Sequence, residues 1–175
     1  MLEQSVGTVA FEEDFSALYE AHTRAVFNYC LFRVGDRAAA EDLTADTFER
    51  AWSSRHHYRP DRAEFATWLF AIARRVVADW QRRRARRPQS ALDVQHPDPA
   101  PLPETQIEEA ERQAQLRWLV LRLEPHEQEL IALKFGSGMT NRAIALILGK
   151  SESAIGTALH RVMQKLRSQW EGSYE

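Results

Sequence analysis

The sequence predicts an all-α protein: two small helical domains joined by a Pro-rich linker, the C-terminal one containing a helix-turn-helix. Apolar residues recur at three- and four-residue spacings along most of the 175 residues, and no segment sustains the alternation of a strand. Five of the seven prolines, Pro88, Pro97, Pro99, Pro101 and Pro103, crowd into one stretch that supports neither helix nor paired strand. Residues 139–169, MTNRAIALILGKSESAIGTALHRVMQKLRSQ, read as two helices joined by a glycine turn. The expected layout is a domain over residues 11–87, a linker over 88–103 and a second domain over 104–170, each of a size to be one compact unit.

In the first domain, Phe15, Leu18, His22, Ala25, Tyr29 and Phe32 share one stripe of a helix that runs from about residue 11 to Val34 and is ended by Gly35. His22 has no second ligand at helical spacing, so it reads as a half-buried packing residue rather than a metal or catalytic group. A second helix from Asp36 to about Ser53 carries a wide apolar arc over Leu43, Thr47, Phe48, Ala51 and Trp52. On its other side Asp42, Asp46 and Glu49 fall at i, i+4 and i+7. Those three carboxylates fit either a solvated face or an acidic dock for a basic partner.

The third helix, within AEFATWLFAIARRVVADWQRRRARR, has a core stripe of Phe65, Leu69, Ile72, Val76 and Trp80. Arg74, Arg75, Arg82, Arg83, Arg84, Arg86 and Arg87 crowd into fourteen residues with only Asp79 against them, which marks a candidate phosphate-binding surface. The preceding loop, SSRHHYRPDRAEF, sets Tyr58 and Arg59 beside Pro60. Aromatic rings next to a basic helix face can stack unpaired bases while cations hold the backbone, so single-stranded or melted DNA is a ligand class for this region. Phe65 reads as core, Tyr58 as a ligand contact, and Trp68 fits both.

In the C-terminal unit a short helix capped by Thr140 stops at Gly149, and a second starts at Ser151 and runs to about Gln169. On the second, Ile155, Leu159, Val162 and Leu166 recur at i, i+4, i+7 and i+11 and must be buried. Ser153, Thr157, His160, Arg161 and Gln164 point the other way, with groups that reach base edges or phosphates. A helix of this kind normally lies in the DNA major groove. A plain helical hairpin is the alternative reading of this segment taken alone.

Composition excludes several classes. At 44% hydrophobic and 27% charged, the chain is that of a globular protein, and its longest apolar run, Ala143 to Leu148, is far too short to cross a bilayer. The N-terminal MLEQSVGTVA lacks the basic start and apolar core of a signal peptide, so a cytoplasmic location without membrane insertion is expected. The single cysteine, Cys30, excludes an internal disulfide and a multi-cysteine zinc site, and reads as a small apolar residue on a helix. No Ser/His/Asp, paired-carboxylate or metal-spaced cluster stands out, so neither an enzyme nor a bound metal or cofactor is expected. Residues 88–131 hold nine acidic and three basic side chains, which fits a solvated linker or a mimic of nucleic acid.

The runs AEDLTADTFERAW (40–52), FATWLFAIARRVVADWQRRR (65–84) and LEPHEQELIALKFGSGMTNRAIALILGKSESAIGTALHRVMQKLR (123–167) resemble, in order and spacing, bacterial sigma factors of the extracytoplasmic-function group. The match covers nearly all of the chain outside the tails and linker. It implies that residues 11–87 are the second sigma domain, whose acidic helix docks on a coiled coil of the RNA polymerase largest subunit, here through Asp42, Asp46 and Glu49. It implies that the -10 promoter element is recognised and melted, with capture of a flipped base, by the region holding Tyr58, Arg59, Trp68, Arg74, Arg75, Arg82 and Arg83. Residues 104–170 would be the fourth sigma domain, meeting the polymerase flap region and reading the -35 element with Arg142, Ser153, Thr157, His160, Arg161, Gln164 and Lys165. In this reading Pro125 opens the helix before the pair. An anti-sigma protein is the further partner the resemblance implies.

Two positions depart from the family pattern. Arg75 stands where many members carry an asparagine in the flipped-base pocket, which predicts an altered -10 preference. Gly156 and Ala158 replace basic residues early in the recognition helix, which predicts weaker -35 binding or more dependence on groove shape. The competing class is a stand-alone helix-turn-helix regulator, which would bind duplex DNA equally well without polymerase.

Overall fold

The structure is a computed structural model that describes residues 3–86, 112, 115–116 and 118–171. The expected linker over 88–103 and Arg87 lie outside the described residues. Three helices build the N-terminal half: α1 (Glu3–Val34), α2 (Arg37–Ser53) and α3 (Phe65–Ala85). Helix α1 stops where Gly35 takes a left-handed φ of 70°, a conformation that side chains with a Cβ rarely adopt. The chain then turns at once, because the Asp36 carboxylate accepts the Ala39 amide at 2.7 Å and starts α2. A tight turn at Arg55–His57 and the loop through Pro60 lead into α3.

The C-terminal half begins with helical turns at 118–121 and continues with α4 (Pro125–Ile131), α5 (Asn141–Leu148) and α6 (Glu152–Glu171). Pro125 sits in the first turn of α4, where a missing N–H costs no helical bond, and Glu124 and Glu127 cap one another's backbone. The helix widens into a π turn over Ala132–Gly136 before it ends. The Thr140 hydroxyl accepts the Ala143 amide at 3.2 Å to start α5, and Gly149, at φ 64°, stops it. The Ser151 hydroxyl accepts the Ala154 amide at 3.2 Å and starts α6. The expected stripe Ile155, Leu159, Val162 and Leu166 is buried along its whole length.

The two halves pack on each other. The π turn lies against α1 and α5 against α3, and the buried residues form a single cluster that runs through both halves. A Cβ built on Gly136 would lie 3.6 Å from the Asn28 carbonyl oxygen and the Tyr29 Cα, which marks how closely the backbones approach. Arg33, only 9% exposed, donates to the Pro125 carbonyl at 3.1 Å and thus ties the end of α1 to the start of α4.

This packing widens the buried arcs beyond the single stripes of the sequence reading. Val26, Cys30, Phe70, Ala73 and Val77 are buried as well, while Ile72 and Trp80 are only partly so. Burial pushes the Cys30 thiol up to about 12, against a hydrogen bond with Thr44, so Cys30 behaves as the small apolar residue expected. The Tyr29 ring stands edge-on to Phe70, and burial raises its hydroxyl far above the usual tyrosine range. Among the described residues, no helix is long and apolar enough to cross a membrane.

Candidate nucleic-acid and polymerase interface

Tyr58 ahead of α3 and Phe65 and Trp68 in its first turns form one cluster anchored in the core. Tyr58 meets Phe65 edge-on at 5.5 Å between ring centroids and lies 5.2 Å from Trp68, while Phe65 reaches Phe15 at 6.3 Å and His22 at 5.7 Å. Phe65 is buried, as its place on the core stripe predicts, whereas Tyr58 and Trp68 are half-buried and offer their outer edges to solvent. Trp68 therefore serves packing and surface at once. Burial, with the Glu64 charge adding to it, raises the Tyr58 hydroxyl above the usual tyrosine range and keeps it a neutral donor. His22 is half-buried against Phe65, and burial lowers its pKa, which fits a packing role.

Beside the cluster, Arg50, Ser53, Ser54, His56, His57, Ile72 and Arg75 line an open cavity of about 350 Å³. The two imidazoles lie 4.0 Å apart between centroids and are exposed. Neither belongs to an apolar stripe; the signal they carry in the sequence is two adjacent histidines in the polar loop that feeds the basic helix. Every polar side chain on this wall can donate a hydrogen bond and none is a carboxylate, so the cavity suits the acceptor edge of a base or a phosphate oxygen. Arg75 is exposed at its rim, with Arg59 and Arg83 also exposed nearby in sequence.

Two of the expected arginines have protein partners instead. Arg74 donates from Nε to the Glu129 carboxylate of α4 at 2.8 Å, across the boundary between the halves. Arg82 bonds Asp79 one turn back on the same helix, and Arg50 reaches the other Asp79 oxygen at 3.4 Å. Hydrogen bonds from Arg82 and then Arg50 hold the Asp79 carboxyl below its usual range. The one acid inside the arginine block thus binds one of its cations, Arg82, and also Arg50 of α2.

On α2, Asp42 and Glu49 are exposed and Asp46 is half-buried, weakly paired with Arg50 at 3.7 Å. The helix therefore presents the expected acidic face with two of its three carboxylates fully available.

On α6, Ser153, Thr157, His160, Arg161 and Gln164 are all exposed, as is Arg142 near the start of α5. The Thr157 hydroxyl donates back to the Ser153 carbonyl at 3.0 Å. Lys165 differs from the rest: it is half-buried and donates to the Glu127 carboxylate at 2.8 Å. Burial opposes ionisation of that carboxyl, but hydrogen bonds from Lys165 and the Glu124 amide outweigh it and hold Glu127 below the usual range. Gly156 is half-buried, and a Cβ there would lie 3.8 Å from the Asn141 amide nitrogen, an ordinary contact, so space does not demand a glycine.

The sequence matches the model of Sigma-70 region 2 over residues 18–87 and that of Sigma-70 region 4 over residues 113–166. The aromatic and basic α3 lies in the first match and the helix-turn-helix in the second. The chain belongs to the sigma-70 family of transcription initiation factors. Its relatives narrow this further. It is 34% identical over 171 residues to the ECF RNA polymerase sigma factor BldN of Streptomyces coelicolor, covering 95% of this chain and 64% of that protein. It is 28% identical over 166 residues to the ECF RNA polymerase sigma factor SigX of Bacillus subtilis, covering 91% and 85%. The chain is an ECF sigma factor. The fold recurs in CnrH, solved in complex with the cytosolic domain of CnrY, at a TM-score of 0.70 and 22% identity over 92% of this chain and 90% of that one. It recurs also in the sigma factor RpoE of Bartonella quintana, solved with the anti-sigma factor NepR, at 0.69 and 20% over 91% and 98%.

Proposed function

We propose that the protein binds core RNA polymerase and directs promoter-specific initiation, reading -35 duplex DNA with α6 and melting the -10 element at α3. What carries this reading is the pairing, on one chain of this family, of two differently built surfaces. One is a helix that exposes Ser153, Thr157, His160, Arg161 and Gln164 over a buried stripe, suited to a groove. The other is a half-buried aromatic pair beside a donor-lined cavity, suited to bases that have left the stack.

Asp42, Asp46 and Glu49 dock on the largest-subunit coiled coil, while the C-terminal half meets the flap region. Tyr58, Arg59, Trp68, Arg74, Arg75, Arg82 and Arg83 hold the -10 strand; Arg142, Ser153, Thr157, His160, Arg161, Gln164 and Lys165 serve the -35 element. Linked on polymerase, two modest contacts act at high effective concentration, and their spacing becomes part of the specificity. The protein catalyses nothing: captured bases favour the melted state, and RNA synthesis belongs to polymerase. It works in the cytoplasm, with an anti-sigma protein as a further partner. Run-off transcription with core polymerase over a promoter library tests this. Initiation from templates sharing two spaced elements supports the reading, and initiation no different from core alone removes it.

A further inference from the structure

Five arginines from three helices converge on one groove. Arg33 of α1, Arg50 of α2 and Arg74, Arg75 and Arg82 of α3 line a space of about 580 Å³, with Pro125, His126 and Glu129 of α4 on the other side. Its size is that of a small-molecule site, but its walls are cationic where most such sites are apolar. Only two acids, Asp79 and Glu129, stand among the five guanidiniums, an excess of three positive charges. Both acids are already engaged: Asp79 bonds Arg82 and Arg50, and Glu129 bonds Arg74. Arg33 and Arg75 have no carboxylate partner among the described residues.

Arg33 supplies an independent observation. It is only 9% exposed, and its Nε is buried without a hydrogen-bond partner. Nη1 donates to the Pro125 carbonyl at 3.1 Å, whereas Nη2 reaches the Gln81 amide oxygen only at 3.4 Å. Nε and Nη2 form the edge of the guanidinium that holds two oxygens of one carboxylate or phosphate side by side. A buried charged donor left unpaired is costly, and no acid in the groove is free to take it.

We propose that this groove binds an oligophosphate, a chain of linked phosphates, either as inorganic polyphosphate or as the tail of a nucleoside triphosphate. Arg33 takes two oxygens of one phosphate through Nε and Nη2 once Nη2 leaves Gln81, and the α2 and α3 arginines take the phosphates beyond it. One phosphate carries about two negative charges, fewer than the excess in the groove, and a chain of three matches it. No Phe, Tyr or Trp lines the groove, so the phosphate chain and not a base is what it reads. Unpaired DNA bases need rings such as Tyr58 and Trp68, and neither lies on these walls. The assignment holds whether or not the α3 arginines also touch DNA.

Isothermal titration of the full chain with orthophosphate, tripolyphosphate and ATP, at low salt and without magnesium, tests it. Tripolyphosphate should bind one to one and at least about tenfold tighter than orthophosphate. ATP that binds no tighter than tripolyphosphate shows inorganic polyphosphate to be sufficient; ATP that binds tighter makes a nucleotide the source. Arg33→Lys keeps the charge but removes the fork, and should weaken tripolyphosphate about tenfold while leaving binding of a single-stranded -10 oligonucleotide unchanged. Arg75→Gln, at an exposed position, should weaken it about fivefold, and Asp79→Asn, which removes a competing acid, should tighten it about threefold, a gain that misfolding cannot produce. If Arg33→Lys unfolds, those two variants decide. Arg86→Gln, exposed at the end of α3 and outside the groove, should change binding by less than about twofold. Three results would overturn the site: no saturable binding of tripolyphosphate up to about 1 mM, equal losses from Arg86→Gln and Arg75→Gln, or equal losses of tripolyphosphate and oligonucleotide from Arg33→Lys. The second would leave only the diffuse charge of the arginine block, and the third would make the groove a strand contact.

Discussion

The two surfaces assigned to DNA are built in opposite ways. Helix α6 is buried on one stripe and open on the other, and five of its six -35 residues stand in solvent without help from any other element. Helix α3 is buried over Phe65, Leu69, Phe70, Ala73, Val76 and Val77, its aromatic neighbours are tied into the core through Phe65, and its arginines are shared with Asp79 and Glu129. A groove-reading helix needs only to be presented, because the duplex brings a regular surface to it. A surface that takes unpaired bases has to supply the stacking partners that the bases lose, so its rings must be held firmly and its cations kept from collapsing onto them. Helix α6 thus stands open in the free protein, though sparse in charge, whereas the α3 surface is richer in cations and partly occupied by the protein itself.

That contrast can be broken at several places. The largest effect is expected from reversing the docking face. Asp42→Arg together with Glu49→Arg should weaken binding to core polymerase by at least about a hundredfold. Because neither side chain is buried, thermal unfolding and duplex binding by α6 in the free chain should stay as they were, measured by calorimetry and anisotropy. Loss of both would mean that the acidic face holds the fold instead.

A smaller effect belongs to α6 alone. Arg161→Ala should cost about 1–2 kcal/mol of -35 duplex binding and lower the salt slope by about one, with no change in binding of the melted -10 strand. A parallel loss at both elements would deny that the surfaces are separate.

Gly156→Ala sharpens the same point from the side of stability. The added Cβ has room beside Asn141, and removing a helix-interior glycine should stabilise the protein by about 0.5–1 kcal/mol in denaturant unfolding. A destabilised variant would show that α5 and α6 approach more closely than an ordinary contact.

The smallest effect tests the aromatic cluster. Burial lowers the pKa of His22, so between its folded and unfolded values the unfolded chain binds more protons. The stability it contributes is full above the unfolded value of about 6.5 and is lost as the pH falls through the folded value. His22→Gln should flatten the stability profile between neutral and mildly acidic pH; an unchanged profile would mean that His22 is not held neutral against Phe65.

Much of this was legible in the sequence because it is local. Gly35 and Asp36 end one helix and start the next, Thr140, Gly149 and Ser151 set out the helix-turn-helix, and the stripe from Ile155 to Leu166 followed from spacing alone. What was not legible needed the second half of the molecule. Tyr29 and Phe70 meet in a core shared with the π turn, and no period within α1 or α3 announces a second packing face. Lys165 sits on the polar side of α6, but its fate is decided by Glu127, thirty-eight residues earlier. Arg74 likewise counts as a free cation until Glu129 is placed beside it. His56 and His57 lie in a loop and carry no period, so only their place ahead of the basic helix marks them.

On the proposed function, neither surface suffices alone and polymerase makes them one promoter-reading unit. Electrophoretic mobility of promoter DNA with the protein, with core polymerase and with both tests it most directly. A specific shift is expected only when both are present, with little duplex binding by the protein alone. Duplex binding as tight without polymerase as with it would make the chain a stand-alone regulator instead.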